Sequence, residues 1–399
     1  MTDSPALHIP PPDFLSDPAL AAVLAALPEA RIAGGAVRDV LLGRSVADVD
    51  LATPRKPDAV IEALTQAGIR AVPTGLDHGT VTAVSQGRGF EVTTLRRDVD
   101  TDGRHAVVAF TSDWREDAAR RDFTINALSM TRGGDVFDYF GGIADLRSGV
   151  LRFVGDPATR IAEDYLRILR FFRFLARGAA RTADPAAVAA IRTRVPGLDR
   201  LSAERVWHEL SRILGAPEPG RAIRLMAELG VLAAVIPEGA DAGRVERLLS
   251  VRAPADSLLR LAALLTGDPA AVATRLRLSI AERDRLIALR TAPLAQPAAD
   301  DSSLRRLLAE YPPETLIGRT WLAFGFGENW DALRQRLASM QRPVFPLEGR
   351  DVVALGVAPG PRVGNLLRAV RAWWLQGGCT ADASACRTEL ARRIRRAAP

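Results

Sequence analysis

Two cysteines, four histidines and one lysine, Lys56, are all that this 399-residue chain carries of those three residue types. Cys379 and Cys386 have neither zinc-ligand spacing nor a small secreted framework to staple, so free thiols are expected. No His-Asp pair occurs, which argues against an appended phosphohydrolase of that type. No apolar run approaches the ~18–20 residues needed to cross a bilayer. The opening MTDSPALHIPPPDFLSD is acidic and proline-rich, unlike a signal or transit peptide, and a cytoplasmic location is expected. What remains is ordinary: 48% hydrophobic and 25% charged residues, in a length that predicts two to four domains. A net charge of +6 suits a polyanionic partner and equally a merely soluble protein, and the bias to arginine reads as genomic base composition more than as chemistry.

The most informative stretch is Arg31–Thr53, RIAGGAVRDVLLGRSVADVDLAT. A short apolar run meets the pair Gly34-Gly35, where the absence of Cβ lets backbone N–H groups approach an anion at the start of a helix. Arg38, one turn in, can join the same cradle, and Gly43 fits the left-handed residue that ends the helix. Read as a strand, Val46–Leu51 places Asp48 and Asp50 on one face, where oxygen-seeking Mg²⁺ can be held. Strands are also predicted at Arg70–Pro73, Thr80–Ser85 and Gly89–Leu95. In the last of these Glu91 leaves the apolar side and is the candidate third carboxylate, or else an exposed strand glutamate.

The string Gly34-Gly35-Ala36-Val37-Arg38-Asp39, with Leu41-Leu42-Gly43-Arg44 and Asp48-x-Asp50, resembles the head of the bacterial tRNA nucleotidyltransferase (CCA-adding enzyme) and poly(A) polymerase family, within the polymerase-β-like nucleotidyltransferases. Asp77-His78-Gly79 fits the CCA-adding pattern, although His78 also reads as a turn residue. Arg96–Phe110 resembles the family's flexible loop, with Ala106 where a proline is common. The resemblance assigns triphosphate and sugar binding to the block Arg120–Leu128, which joins Arg120-Arg121-Asp122 to an apolar run, with Arg121 and Asp122 as the contacts; by itself the trio also reads as a surface ion pair. Asp138–Gly142 is similar to a hinge-like segment that closes the head.

From Pro157 onward the pattern is helical. A helix over 161–177, IAEDYLRILRFFRFLAR, places Glu163, Asp164, Arg167, Arg170, Arg173 and Arg177 on one half and apolar residues on the other. Asp164 and Arg167, three apart, make a surface pair on the bland reading. The stretch resembles the family's Glu-Asp-x-x-Arg-x-x-Arg motif, which implies nucleotide binding by Glu163, Asp164, Arg167, Arg170 and Arg173. The chemistry is sound on its own terms. Cytosine and adenine both present an exocyclic amino donor beside a ring-nitrogen acceptor, and uracil and guanine present the reverse. A fixed carboxylate and guanidinium therefore accept C and A, because the wrong base leaves buried polar groups unpaired.

The expected architecture is α+β: a small mixed-sheet nucleotidyltransferase head followed by an all-α neck, body and tail. The boundaries expected are an N-terminal extension 1–29, head 30–150, neck 151–215, body 216–299 and tRNA-binding tail 300–399, with Pro293–Ser303 as a linker. Leu355–Asn365 is either an RNA-phosphate contact or a tight turn. The resemblance implies template-independent transfer of CMP, CMP and AMP from CTP and ATP to the 3′ end of tRNA. Mg²⁺ would sit on Asp48 and Asp50, with Glu91 as third catalytic carboxylate. Poly(A) polymerase and enzymes adding only CC or only A share the head motifs. An inactive RNA-binding protein is disfavoured because all three carboxylates are present.

Overall fold

The computed structural model describes residues 4–101 and 106–396. The chain forms two compact units, Met1–Pro237 and Glu238–Pro399. The first holds strands β1 (Leu7–His8), β2 (Arg31–Ala33), β3 (Asp50–Thr53), β4 (Arg70–Gly75), β5 (Thr80–Ser85), β6 (Arg88–Thr94), β7 (Arg96–Thr101), β8 (Ala106–Phe110), β9 (Leu128–Met130) and β10 (Asp135–Asp138). Eight of them make one mixed sheet in the order β1-β10-β9-β2-β3-β6-β5-β4. The β5–β6 hairpin turns through Gln86 (φ 50°) and Gly87 (φ 78°), the two left-handed residues that a tight hairpin with right-handed strand twist requires.

Helices α1 (Pro18–Ala26), α2 (Gly35–Leu41), α3 (Pro57–Gln66), α4 (Trp114–Ala119) and α5 (Gly142–Ser148) punctuate the sheet. Their starts are written in local chemistry. Asp17 accepts the first amides of α1, Pro18 and Pro57 occupy first-turn positions, and Asp138 accepts from the amides of Gly142 and Ile143 at 2.9 Å each. The segment expected as an extension, 1–29, is built into the head from its described residues onward: β1 adds an edge to the sheet by pairing with β10, and Leu20, Val23 and Leu24 of α1 are core.

The strand expected over Val46–Leu51 begins only at Asp50. Its partner β2 is three residues long and their ladder ends at Ala33↔Asp50, where Gly34 turns away into α2. Asp48 is therefore on irregular chain just ahead of the strand. The segment Arg96–Phe110, read as a loop, is the β7–β8 hairpin, and its Asp102–His105 tip lies outside the described residues.

Beyond β11 (Val150–Leu151) come α6 (Pro157–Glu163) and α7 (Leu166–Ala176), then β12 (Thr182–Ala183), which pairs with β11, and α8 (Pro185–Arg194), α9 (Ala203–Leu214), α10 (Gly220–Glu228) and α11 (Val231–Val235). The single helix expected over 161–177 is broken at Asp164, whose backbone is extended (φ −154°, ψ 108°). The boundary expected at 215/216 falls inside this unit, since α10 packs on α7.

The second unit is helical throughout, from Ala242–Ser250 to Ala383–Arg396. Pro293–Ser303 is not a bare linker, for Ala295 packs in one cluster with Leu304, Leu308 and Leu337. The boundary expected at 299/300 would cut that cluster in two. A further cluster joins Val352, Val370, Trp374, Cys386 and Leu390. The segment 355–365 is a turn through Gly356 and Gly360 into the helix Pro361–Gln376. Among the described residues no helix is long and apolar enough to cross a membrane.

Candidate active site

The glycine pair works differently at its two positions. Gly34 has φ 69° and its N–H closes onto the Leu128 carbonyl at 3.0 Å, so its contribution is conformation and the absence of a side chain rather than a free donor. A Cβ there would lie 2.9 Å from Arg121 Nη1. Gly35 opens α2, the residue from which amides face outward at a helix start. Arg38, on α2, donates from Nη1 to Asn126 Oδ1 at 2.7 Å and grips Asp39 through Nε and Nη2.

From Asn126 the network continues inward. Its Nδ2 donates to Asp122 Oδ1 at 3.0 Å, and Arg170 on α7 donates to Asp122 Oδ2 through Nε at 2.8 Å and Nη2 at 2.6 Å. Asp122 is buried, which by itself raises a carboxyl pKa. Arg170, Asn126 and the Phe123 amide outweigh that burial and hold it below the ordinary value. Arg120 and Arg121 converge on buried Asp117, which they hold low against its burial in the same way. The Arg-Arg-Asp trio is thus not a surface ion pair: two members clamp a neighbouring acid and the third ties head to α7.

Asp50 and Glu91 flank the parallel Leu51↔Val92 pair, one residue before it on β3 and β6. Burial by the cavity walls raises the Asp50 carboxyl, Glu91 and Asp48 push it further up, and Arg121 opposes them. Of the three carboxylates, Glu91 and Asp48 act on Asp50 through space. The three do not converge, since among the described residues no group of three or more His, Cys, Asp or Glu stands ready to hold a metal.

The break at Asp164 is made by Asp164 itself. Its Oδ1 accepts from the Leu166 amide at 3.0 Å, starting α7 afresh, and its Oδ2 accepts from Arg205 Nη2 on α9 at 2.7 Å. The Asp164–Arg167 surface pair of the bland reading does not form. Arg167 donates to Glu163 Oε2 at 2.5 Å and to the Arg160 carbonyl at 2.8 Å. Nor is the charged half of the stretch a solvated face. Arg173 is buried against Glu209 at 3.2 Å, where burial lowers its pKa to about 10 despite that partner. Arg160 escaped the sequence reading, Asn126 entered it only as part of the block 120–128, and Arg205 and Glu209 only as part of a helical segment that resembles the family's next motif and reads as scaffold. The local signal for Arg205 was its place in Ser202-Ala203-Glu204-Arg205, a capping signature for α9.

These groups line one cavity of about 1270 Å³: Gly34, Asp48 and Asp50 on the head side, Asp164, Arg167 and Arg205 on the helical side. Arginine donors, the carboxylates of Asp48 and Asp50 and the hydrogen-bonded Asp164–Arg205 pair therefore share one space. Fold and site together define a nucleotidyltransferase.

Comparison with known proteins narrows this. The family described as "Poly A polymerase head domain" matches residues 30–152, and "Probable RNA and SrmB- binding site of polymerase A" matches 182–242. The mitochondrial CCA tRNA nucleotidyltransferase 1 of Danio rerio is 38% identical over 87% of this chain and 83% of its own. The CCA-adding enzyme of Levilactobacillus brevis is 32% identical over 90% and 93%. A crystal structure of the Bacillus stearothermophilus CCA-adding enzyme in complex with CTP superposes with TM-score 0.74 at 28% identity, covering 95% of this chain and 98% of that one. The chain belongs to the CCA-adding tRNA nucleotidyltransferases.

Proposed function

We propose that this chain adds C, C and A to the 3′ end of tRNA from CTP and ATP, releasing pyrophosphate, with Mg²⁺ and no nucleic-acid template. The observation that carries the reading is that one cavity is lined both by Asp48 and Asp50 and by Asp164 and Arg167. The start of α2, Arg38 and Arg121 hold the triphosphate, and Asp122 and Arg170 brace that wall. Asp164 accepts from the exocyclic amino group and Arg167 donates to the ring nitrogen. The tRNA 3′-oxygen bonds to the α-phosphorus as the bond to the bridging oxygen of pyrophosphate breaks.

Family members generally use a divalent metal, and Asp48 and Asp50 offer hard carboxylate oxygens of the kind it takes on the wall of one cavity, where burial first and Glu91 next keep the Asp50 pKa raised. Asp48 and Asp50 would hold Mg²⁺, with Glu91 adding negative charge behind them. Bound there, it supplies Lewis-acid neutralisation of the reacting oxygens. The two unpaired thiols fit a cytoplasmic setting.

The test is incubation with tRNA lacking its 3′ end, CTP and ATP supplied singly and together, and products sized at nucleotide resolution. Addition of C, C and then A is expected. A homopolymeric A tail, CC alone or A alone would replace this reading with one of the other activities. Asp48→Ala and Asp50→Ala should each abolish addition, leave tRNA binding nearly intact and remove any Mg²⁺-dependent rise in Tm. Turnover in both variants would refute the carboxylate assignment.

A further inference from the structure

We propose that Arg160 is a positioning residue that registers the base-reading guanidinium of Arg167 against the triphosphate-binding turn at Arg120-Arg121. Arg160, on α6, is only 9% exposed. Its Nη2 donates to the carbonyl oxygens of Arg120 and Arg121, and its Nη1 donates to Glu163 Oε1 at 2.9 Å. Arg167 takes the other side of the same two acceptors, with Nη1 at 2.5 Å from Glu163 Oε2 and Nη2 at 3.4 Å from the Arg120 carbonyl. One carboxylate and one peptide oxygen each receive both guanidinium groups, which closes a ring. The Arg160 carbonyl, accepting from Arg167 Nη1 at 2.8 Å, braces it.

The geometry has a direction. The Arg120 carbonyl belongs to the peptide that leads into Arg121, whose side chain reaches Gly34 and acts electrostatically on Asp50. A change in that turn on gripping a triphosphate displaces an oxygen to which Arg167 donates. Arg160 limits how far Arg167 can lag, because its planar fork addresses the turn and Glu163 at fixed angles. Buried ion pairs are often replaceable by apolar side chains for stability alone, and an apolar residue here would sever the link between turn and base. Base reading thereby depends on the triphosphate grip, so that a correct base without a seated triphosphate meets a less fixed Arg167.

This rests on the reading of Asp164 and Arg167 as the base-recognising pair, and the experiment separates the two. With the full chain and tRNA lacking its 3′ end, kcat/KM is measured for CTP, ATP, UTP and GTP, alongside inhibition by pyrophosphate. The proteins compared are wild type, Arg160→Gln, Arg160→Lys, Glu163→Gln and Asp164→Ala. Arg160→Gln should lower CTP and ATP use far more than UTP and GTP use, so that discrimination falls about tenfold, the scale of one charge-assisted hydrogen bond. Inhibition by pyrophosphate should change much less, Arg160→Lys should recover part of the discrimination, and Glu163→Gln should shift it in the same direction. A proportional fall for all four nucleotides in Arg160→Gln makes the residue structural and overturns the proposal. Should Arg160→Gln fail to fold, unchanged discrimination in both Glu163→Gln and Arg160→Lys overturns it. Loss of discrimination in Asp164→Ala alone keeps the base-reading assignment and discards the role of Arg160. Intact discrimination in Asp164→Ala discards the base-reading assignment itself.

Discussion

Asp122 shows how one residue can be placed by burial and charge together. It accepts from Arg170 twice, from Asn126 and from the Phe123 amide, and its pKa is held low in spite of burial. For an acid depressed in the folded state, the stabilisation is present above its unfolded value near 3.8 and disappears as pH falls through the lower folded value. Asp122→Asn strands Arg170 beside a neutral partner and is expected to cost about 3 kcal/mol at pH 7. The gap between wild type and variant should close as pH drops below about 4, which urea unfolding from pH 7 to pH 3 measures. A gap that stays constant with pH would mean the loss is one of packing.

At the scale of elements, the break between α6 and α7 is the decisive local feature. Tyr165 sits in that break, and its ring lies against Gly197, where a Cβ would come within 1.7 Å of Cε1. Gly197→Ala must push Tyr165 aside and carry Asp164 with it. The expected cost is that of overpacking a tight site, about 1–3 kcal/mol. Kinetically, discrimination of C and A against U and G should fall while pyrophosphate inhibition holds, because the head strands are untouched. Thermal melting together with four-nucleotide kinetics checks both halves, and unchanged discrimination would show the break to be tolerant of displacement.

For the whole molecule the polyanionic partner sets the expectation. Arginine carries nearly all of the basic charge, and a net +6 is modest for 399 residues, so a tRNA grip must come from where arginines gather rather than from bulk charge. If the helices of the second unit, including Ala383–Arg396 with Arg395 and Arg396 in its last turn, meet the phosphate backbone, log affinity for tRNA should fall linearly with log salt. The slope expected is about 0.7–0.9 per neutralised phosphate. Filter binding across a salt series measures it, and a flat response would favour a small-molecule acceptor over tRNA.

By itself the sequence determined the class of fold, because that rests on short-range rules: glycine where φ is positive, caps at helix starts, alternation along β5 and β6; the chemistry expected of the head came from its resemblance to a known family. Gly43, with φ 65°, is in the left-handed region as its spacing required. Tertiary structure alone decided which charges meet. Periodicity put Asp164 and Arg167 on one continuous helix. The competing hydrogen bond from Asp164 to the Leu166 amide breaks that helix, and no glycine or proline marks the place. Pairing partners were equally invisible, since Arg205 to Asp164 spans 41 residues and Arg170 to Asp122 spans 48. Likewise the ends of β3 follow from the length of β2 and the turn at Gly34, not from the apolar run around Asp48 and Asp50. A local pattern fixes what a segment can do, and the competition of distant partners for the same donors and acceptors fixes what it does.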